Sequence, residues 1–296
     1  MESNAGTLYV VATPIGNLED LSPRAVRVLS SVDLIACEDT RHTRRLLTHF
    51  SIQTPTTSYH EHNEESKASI LLDQLLEGKQ IALVSDAGTP LLSDPGYRLV
   101  RSCRHEGVPV LPIPGPFAGA AACSVSGLPT DQVLFVGFLG GRAAAQRQEL
   151  ERLKAVPATL VFYLAPHRLR QTLERIFRIL GDREAYLVRE MTKLHETGSW
   201  GTLHSLATEA AGVKPRGEYT LVVKGADASG AAKELGGEID VAAYVTGLVQ
   251  TRGMSKKEAI KLVSRQLRLP KREVYGMVSG RRSEIESRLK TDKADD

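Results

Sequence analysis

Ile81-Ala82-Leu83-Val84-Ser85-Asp86-Ala87-Gly88-Thr89-Pro90-Leu91-Leu92-Ser93-Asp94-Pro95-Gly96 opens as four consecutive apolar residues and closes as an irregular loop. A short apolar run bounded by turn residues reads as a buried strand. Two prolines and two glycines in the next twelve residues fix a tight connection at that strand's carboxyl end. Asp86 can accept hydrogen bonds from an amino or hydroxyl group, and Gly88 allows a ligand to approach the backbone. Asp94-Pro95 reads as the N-cap and first residue of a following helix. On residue chemistry alone the stretch is either a ligand-holding loop or a well-made strand–helix connection.

Outward from it, apolar strands alternate with amphipathic helices. Strands are expected over Thr7–Ala12, Leu34–Cys37, Thr56–Tyr59 and Val108–Ile113, with helices near Arg41–Phe50, Glu64–Glu77 and Tyr97–Glu106. Ser22-Pro23 opens one more helix as N-cap and first helical residue. This alternation predicts an α/β fold with a mainly parallel sheet, whose ligands lie beyond the carboxyl ends of the strands. Pro112-Ile113-Pro114-Gly115-Pro116-Phe117 is a second Pro/Gly-rich loop, running into the slim helix start Ala118-Gly119-Ala120. Placed on neighbouring strands, the two loops would form one wall of a pocket. A second α/β unit follows Gly127-Leu128-Pro129, with strands over Val133–Gly137, Thr159–Leu164, Glu184–Arg189, Thr197–Gly201 and Tyr219–Val223. Some of these follow each other without a helix, so a mixed sheet is expected. Gly225–Ala232 reads as a flexible small-residue linker. Beyond it, Ser255-Lys256-Lys257-Glu258 is a capping box that starts a helix, and a second helix is expected around Arg272–Val278. The domains are therefore expected over 1–127, 128–226 and, for the helical piece, 238–290.

Several classes are excluded. There is no G-x-G-x-x-G after the first strand, no P-loop and no G-x-S-x-G. His42, His60 and His62 have no clustered third ligand, so no metal site is expected. Cys37, Cys103 and Cys123 are three and far apart, which reads as buried free thiols. No apolar run reaches the ~20 residues of a membrane span, and Met1–Gly6 lacks a signal peptide's pattern. A cytoplasmic location is expected. Between Arg252 and Lys290, 12 Lys/Arg face 4 Asp/Glu, although the whole chain carries only +3. A basic tail on an acidic body suggests a polyanionic partner, with a solvated helical surface as the plain alternative.

Five motifs, in order, carry a resemblance to a known family. Thr13-Pro14-Ile15-Gly16-Asn17, Glu38-Asp39-Thr40-Arg41, the Asp86–Gly96 loop, Pro114-Gly115-Pro116 and Arg189-Glu190-Met191-Thr192-Lys193-Leu194-His195-Glu196 resemble the ribosomal RNA small subunit methyltransferase I branch of the tetrapyrrole (corrin/porphyrin) methylase superfamily. The resemblance covers Leu8 to Val223 and, more weakly, the tail to about Gly280. It implies two α/β domains enclosing a trough for S-adenosylmethionine, a small C-terminal helical domain, and a homodimer. It also implies 2′-O-methylation of a cytidine ribose in 16S ribosomal RNA, free or within the 30S subunit. Carried over by position, it puts Pro14, Ile15, Asp86, Ala87, Gly88, Thr89, Pro116 and Phe117 beside the cofactor. Tyr163, Leu164, Arg189, Glu190, Tyr219 and Thr220 would close over it from the second domain. The chain departs from the family at Gly140–Arg147, where a Lys-rich loop is usual. That segment is expected to be less basic and more flexible here.

A ribose hydroxyl is a poor nucleophile, and a nearby carboxylate, histidine or lysine would help remove its proton. Glu38 or Asp39 is the leading base, followed by Glu196, with Lys193 as an electrostatic partner. Each has a plain structural alternative: Glu38 or Asp39 paired with Arg41 or Arg44, and Lys193 with Glu190 or Glu196. For RNA, Arg41, Arg44 and Arg45 offer donors, together with His60, His62 and Asn63. Tyr59 or His60 would stack on a displaced base. Lys256, Lys257, Lys261, Arg265, Arg268, Lys271 and Arg272 would contact phosphates. Two rivals remain: a methylase acting on a tetrapyrrole, which would have little use for the basic tail, and a non-catalytic helix–turn–helix binder, which would leave most of the chain without purpose.

Overall fold

The structure, a computed structural model, describes residues 5–212, 215–226, 241–252, 254–266 and 269–279. They fall into two compact units: one of residues 1–153 and 158–224, the other of 154–157 and 225–296.

The first unit holds two five-stranded sheets. The first is wholly parallel, in the order β3-β2-β4-β1-β5, with β1 Leu8–Val11, β2 Leu34–Cys37, β3 Thr56–Ser58, β4 Ile81–Val84 and β5 Val110–Ile113. β4 shows why its sequence is continuously apolar. Ile81 and Leu83 enter the core beneath α3 (Glu64–Leu76) and α4 (Tyr97–His105). Ala82 and Val84 enter the opposite core beneath α1 (Pro23–Ser31) and α2 (Thr40–His49). Successive strand residues point to opposite faces, and both faces are covered. Ser22 caps α1 through its hydroxyl, as the Ser-Pro pair predicts.

The second sheet is mixed, as expected. Its order is β6-β7-β10-β8-β9, with β6 Val133–Phe138, β7 Thr159–Leu164, β8 Glu184–Arg189, β9 Thr197–Thr202 and β10 Tyr219–Val223. Only the β6–β7 pair is parallel among these strands. Helix α5 (Ala118–Val125) packs Ala122 and Cys123 against Val161, Val188 and Val222 of this sheet. Further helices are α6 Ala143–Leu153, α7 Leu169–Leu180 and α8 Leu203–Ala211.

Three expectations need correction. Asp94 does not cap α4. The N-cap position is Gly96, and the Glu64 carboxylate of α3 accepts from Gly96 N and Arg98 N in its place, at 3.0 and 3.2 Å. The strands β4 and β5, which carry the two Pro/Gly loops, are not neighbours, because β1 lies between them. The Gly140–Arg147 segment is helical from Ala143. Alanine favours helix, and the buried Gln146 side chain donates back to Leu139 O and Gly141 O.

In the second unit, α9 (Val241–Arg252), α10 (Lys256–Gln266) and helical residues 271–279 share a core of Val241, Val245, Leu248, Ala259, Ile260, Val263 and Val274. The capping box is present: Glu258 N donates to Ser255 Oγ, and Ser255 N donates to the Glu258 carboxylate. Arg268 and residues 227–232 of the expected linker lie outside the described residues.

Candidate active site

Three loops at the carboxyl ends of β1, β4 and β5 are sewn together. Thr13 and Gly88 exchange backbone hydrogen bonds at 2.9 and 3.0 Å, and Thr13 Oγ1 donates to Ser85 O at 3.1 Å. Thr89 Oγ1 donates to Pro116 O at 3.0 Å. The wall expected from adjacent strands therefore forms across the intervening strand, through the end of β1. The loop after β2 joins it, because Asp39 N donates to Asp86 Oδ1 at 3.0 Å.

These loops and the second sheet enclose a cavity of about 340 Å³, within the range of small-ligand sites. Ile15, Asp86, Ala87, Gly88, Thr89, Leu92, Ser93, Asp94, Phe117 and Ala118 line it from the first sheet's side. Phe138, Tyr163, Leu164, Ala165, Pro166, Glu218, Tyr219 and Thr220 line it from the second. Asp86, Asp94 and Glu218 are among its lining residues, and no lysine or arginine is, among the described residues. Burial pushes the Asp94 carboxyl above its ordinary value; the nearby Ser85 hydroxyl offsets part of this, and the Asp86 charge adds to it. Burial pushes the Tyr163 hydroxyl up to about 12, so it remains a neutral donor.

Ten of the fourteen expected cofactor residues line this cavity: Ile15, Asp86, Ala87, Gly88, Thr89, Phe117, Tyr163, Leu164, Tyr219 and Thr220. Pro14, Pro116, Arg189 and Glu190 do not. Pro116 acts through its carbonyl, which holds Thr89. Glu190 belongs to a loop network: Lys193 Nζ donates to Glu190 Oε1 at 2.9 Å and to Glu218 Oε2 at 3.0 Å, and Glu218 N donates to Glu190 Oε1. The Lys193 hydrogen bond holds the Glu190 carboxyl below its usual range. Burial alone would lower Lys193, but its two carboxylate partners outweigh this and raise it. Glu196 is exposed and accepts from Thr192 N at 2.6 Å. Lys193 and Glu196 thus brace a loop and are not among the cavity's lining residues.

Glu38 and Asp39 also stand outside the lining, beside Asp86. They differ from each other. Asp39 caps α2 and pairs with Arg41 at 3.3 Å, and those bonds hold its carboxyl low. Glu38 is half-buried with a raised pKa, from burial first and then from the charges of Asp86, Asp94, Asp39 and Glu61.

Of the expected RNA contacts, Arg41, Arg44 and Arg45 are exposed and line a shallow groove with Thr40 and Thr48. His62 is exposed, and Asn63 holds the turn by accepting from His60 N. His60 is half-buried, with its ring in edge contact with His62. Tyr59 is corrected: it is fully buried in the core beneath α3, its hydroxyl bound to Glu64, and offers no ring face to a base. Lys256, Lys257, Lys261, Arg265, Lys271 and Arg272 are exposed on the second unit. The sequence reading missed Leu92, Ser93, Asp94, Ala118, Phe138, Ala165, Pro166 and Glu218. Leu92 to Asp94 were inside the loop already singled out, but Phe138 falls one residue past the expected strand Val133–Gly137 and Glu218 one residue before the expected strand Tyr219–Val223.

Strain gathers around the same cavity. Of five non-glycine residues with positive φ among the described residues, Leu91 and Ser93 lie in one loop and Glu190 and Thr192 in the other. Such residues cost about 1–3 kcal/mol each and cluster where a site is held in shape.

Residues 7–207 match the family model described as Tetrapyrrole (Corrin/Porphyrin) Methylases. The chain is 46% identical to the ribosomal RNA small subunit methyltransferase I of Halalkalibacterium halodurans, over 92% of this chain and 94% of that one. It is 43% identical to the protein of the same name from Bacillus subtilis, over 93% and 94%. Among solved structures it is similar to uroporphyrin-III C-methyltransferase from Thermus thermophilus complexed with S-adenyl homocysteine, with a TM-score of 0.52, 22% identity, and coverage of 73% of this chain and 96% of that one. It is also similar to diphthine synthase, with a TM-score of 0.59, 14% identity, and coverage of 74% and 89%. At such identities these two structures bear on the fold alone.

Proposed function

Because the chain belongs to the ribosomal RNA small subunit methyltransferase I family of the tetrapyrrole methylases, we propose that it methylates the 2′-hydroxyl of a cytidine ribose in 16S ribosomal RNA. It is an S-adenosylmethionine-dependent methyltransferase acting on ribosomal RNA. The 30S subunit or its free RNA is the substrate in this reading, the location is the cytoplasm, and the working form is a homodimer. Its domains are taken as 1–127, 128–226 and 238–290.

The observation that carries the cofactor assignment is the cavity's chemistry. Asp86 and Asp94 place carboxyl groups on walls that are otherwise apolar, aromatic and hydroxyl-bearing, and no lysine or arginine lines the cavity among the described residues; the third acid, Glu218, is paired with Lys193. That set suits a ligand with a sulfonium, an ammonium and a purine. When bound, S-adenosylmethionine supplies a methyl carbon already activated by its positive sulfur, so the protein aligns the acceptor and excludes water. Ile15, Phe117, Tyr163 and Leu164 supply the apolar enclosure, while Asp86 is held in place by Asp39 N.

Glu38 is the group we assign to take the ribose proton. Its raised pKa makes it a stronger base than an ordinary carboxylate, whereas Asp39 is committed to Arg41 and the start of α2. Arg41, Arg44 and Arg45 on α2, with Lys256, Lys257, Lys271 and Arg272, supply exposed cations for the RNA backbone.

The test is transfer of labelled methyl from S-adenosylmethionine to small ribosomal subunits, to free 16S RNA and to uroporphyrinogen. Label is expected in RNA only, in a cytidine whose 3′-phosphodiester resists alkali because its 2′-oxygen is blocked. Label on a base would overturn the ribose assignment, and label on uroporphyrinogen would favour the small-molecule rival.

A further inference from the structure

Strand β6 contains one residue too many for its partner. Phe135 faces Val161 of β7 and Gly137 faces Phe162, which leaves Val136 unpaired. Such bulges are rare in parallel pairs, and they re-aim the side chains that follow. In a regular strand, residues three apart point to opposite faces. Here the extra residue sets Phe138 opposite Tyr163, on the same face as Phe135.

The ring contacts record the result. Phe117 meets Phe135 at 5.0 Å between centroids, Phe135 meets Tyr163 at 5.2 Å, and Tyr163 meets Phe138 at 5.4 Å, all edge-on. Four aromatic rings thus form a ladder, of which Phe117, Tyr163 and Phe138 line the cavity and Phe135 packs behind them. Phe117 and Tyr163 are half-buried, while Phe138 is 55% exposed at the ladder's end. Gly137 permits the turn of the chain: its φ is +71°, and a Cβ there would collide with Ser93 Oγ from the facing loop. The bulge therefore places a large, partly exposed apolar ring in the cavity's lining, where a ligand entering from solvent can meet it.

We propose that Phe138 is the stacking platform for the acceptor nucleobase, holding an unpaired nucleoside at the cavity so that its ribose reaches the reacting methyl. This rests on the ribosomal RNA reading above. A nucleobase is the planar, π-faced group that an exposed aromatic ring takes from single-stranded RNA. The acceptor arrives from solvent, and Phe138 is the solvent-facing rung. The cofactor's adenine is the other base that could use this ring, and the test separates the two.

Phe138→Ala, Phe138→Leu and Phe138→Tyr are compared with the parent enzyme on small ribosomal subunits. Loss of one stacked base corresponds to a fall of about 5- to 150-fold in kcat/KM. That fall is expected for the alanine and leucine variants alike, while tyrosine keeps most of the activity. S-adenosylhomocysteine affinity, read by calorimetry, is expected to be unchanged in all three. Thermal melting confirms that each is folded, and the tyrosine variant guards against a purely structural loss. An equal loss of S-adenosylhomocysteine affinity would give the ring to the cofactor and overturn the proposal. So would an unchanged kcat/KM in the alanine variant, or a leucine variant as active as the parent. A parent enzyme inactive on ribosomal RNA but able to bind S-adenosylhomocysteine would overturn the functional reading itself, and this proposal with it.

Discussion

Glu38 and Asp39 are adjacent carboxylates held in opposite electrostatic states. Hydrogen bonds from Arg41 pull Asp39 down, while burial and four neighbouring acids push Glu38 up. A carboxyl whose folded pKa is raised binds its proton more tightly in the folded state. Its favourable contribution is complete below the unfolded value, near pH 4.3, and is lost as pH rises through the folded value. Above that range the ionised group opposes folding. Glu38→Gln should therefore raise the melting temperature at pH 7, with the gain vanishing as pH falls below about 4. If Glu38 is the base, the same substitution lowers kcat by roughly 10²–10⁴-fold and removes the acid limb of the pH–rate profile. Asp39→Asn should do neither; asparagine is also a good N-cap, so the change in stability stays small. A Glu38→Gln enzyme with full kcat would end the assignment, and an unaltered melting temperature at pH 7 would show that burial does not strain the group.

At the scale of elements, the site is made by loops that brace one another. The 190–193 loop of the second sheet lies against the loop after β1. A Cβ on Gly16 would collide with Lys193 Cγ, and it would stand 2.8 Å from Thr192 Oγ1 and 2.9 Å from Met191 O. Lysine can swing aside, but a backbone carbonyl in a loop with two strained residues cannot. Gly16→Ala should cost about 1–3 kcal/mol of overpacking, measured as a shift of the urea midpoint at constant slope. A change within about 0.5 kcal/mol, ordinary for an exposed site, would mean that the loops do not press on each other. Much of this architecture was legible in the sequence. The continuous apolar run of β4 and the Pro/Gly-rich loops after β4 and β5 follow from local pattern, while Ile15, Ala87, Thr89 and Phe117 of the cavity's first wall follow from the family resemblance. The β6 bulge was not legible: the strand is expected over Val133–Gly137, with Phe138 past its end, and only the pairing with β7 reveals the surplus residue. Asp94 was misread for a related reason. Local sequence offers an Asp-Pro cap, whereas Glu64, thirty residues earlier, reaches the start of α4 first. Tyr59 was misplaced because an aromatic beside two histidines looks the same in sequence whether it faces water or α3.

For the whole molecule, charge is divided by unit more sharply than the net +3 suggests, with a surplus of positive charge between Arg252 and Lys290. Composition makes this partition visible and gives the partner's sign, but it gives no geometry for the contact. Lys256, Lys257, Lys271 and Arg272 are exposed on a unit with its own apolar core, so their charge can be removed without disturbing that core. Each cation that neutralises a phosphate releases a counterion, and binding then weakens with salt at a slope of about 0.7 to 0.9 per contact. Changing all four to glutamine should weaken binding to 16S RNA at low salt. It should also flatten the plot of log affinity against log salt by up to about 3 or 4 in slope, if all four meet phosphates. S-adenosylhomocysteine affinity should stay as it was, because none of the four lines the cavity. Affinity that falls without a change of slope would point to a lost packing or hydrogen-bonding contact, since only released counterions carry the salt dependence. An RNA affinity and slope both equal to the parent's would leave the basic surface of this unit with no part in holding the substrate.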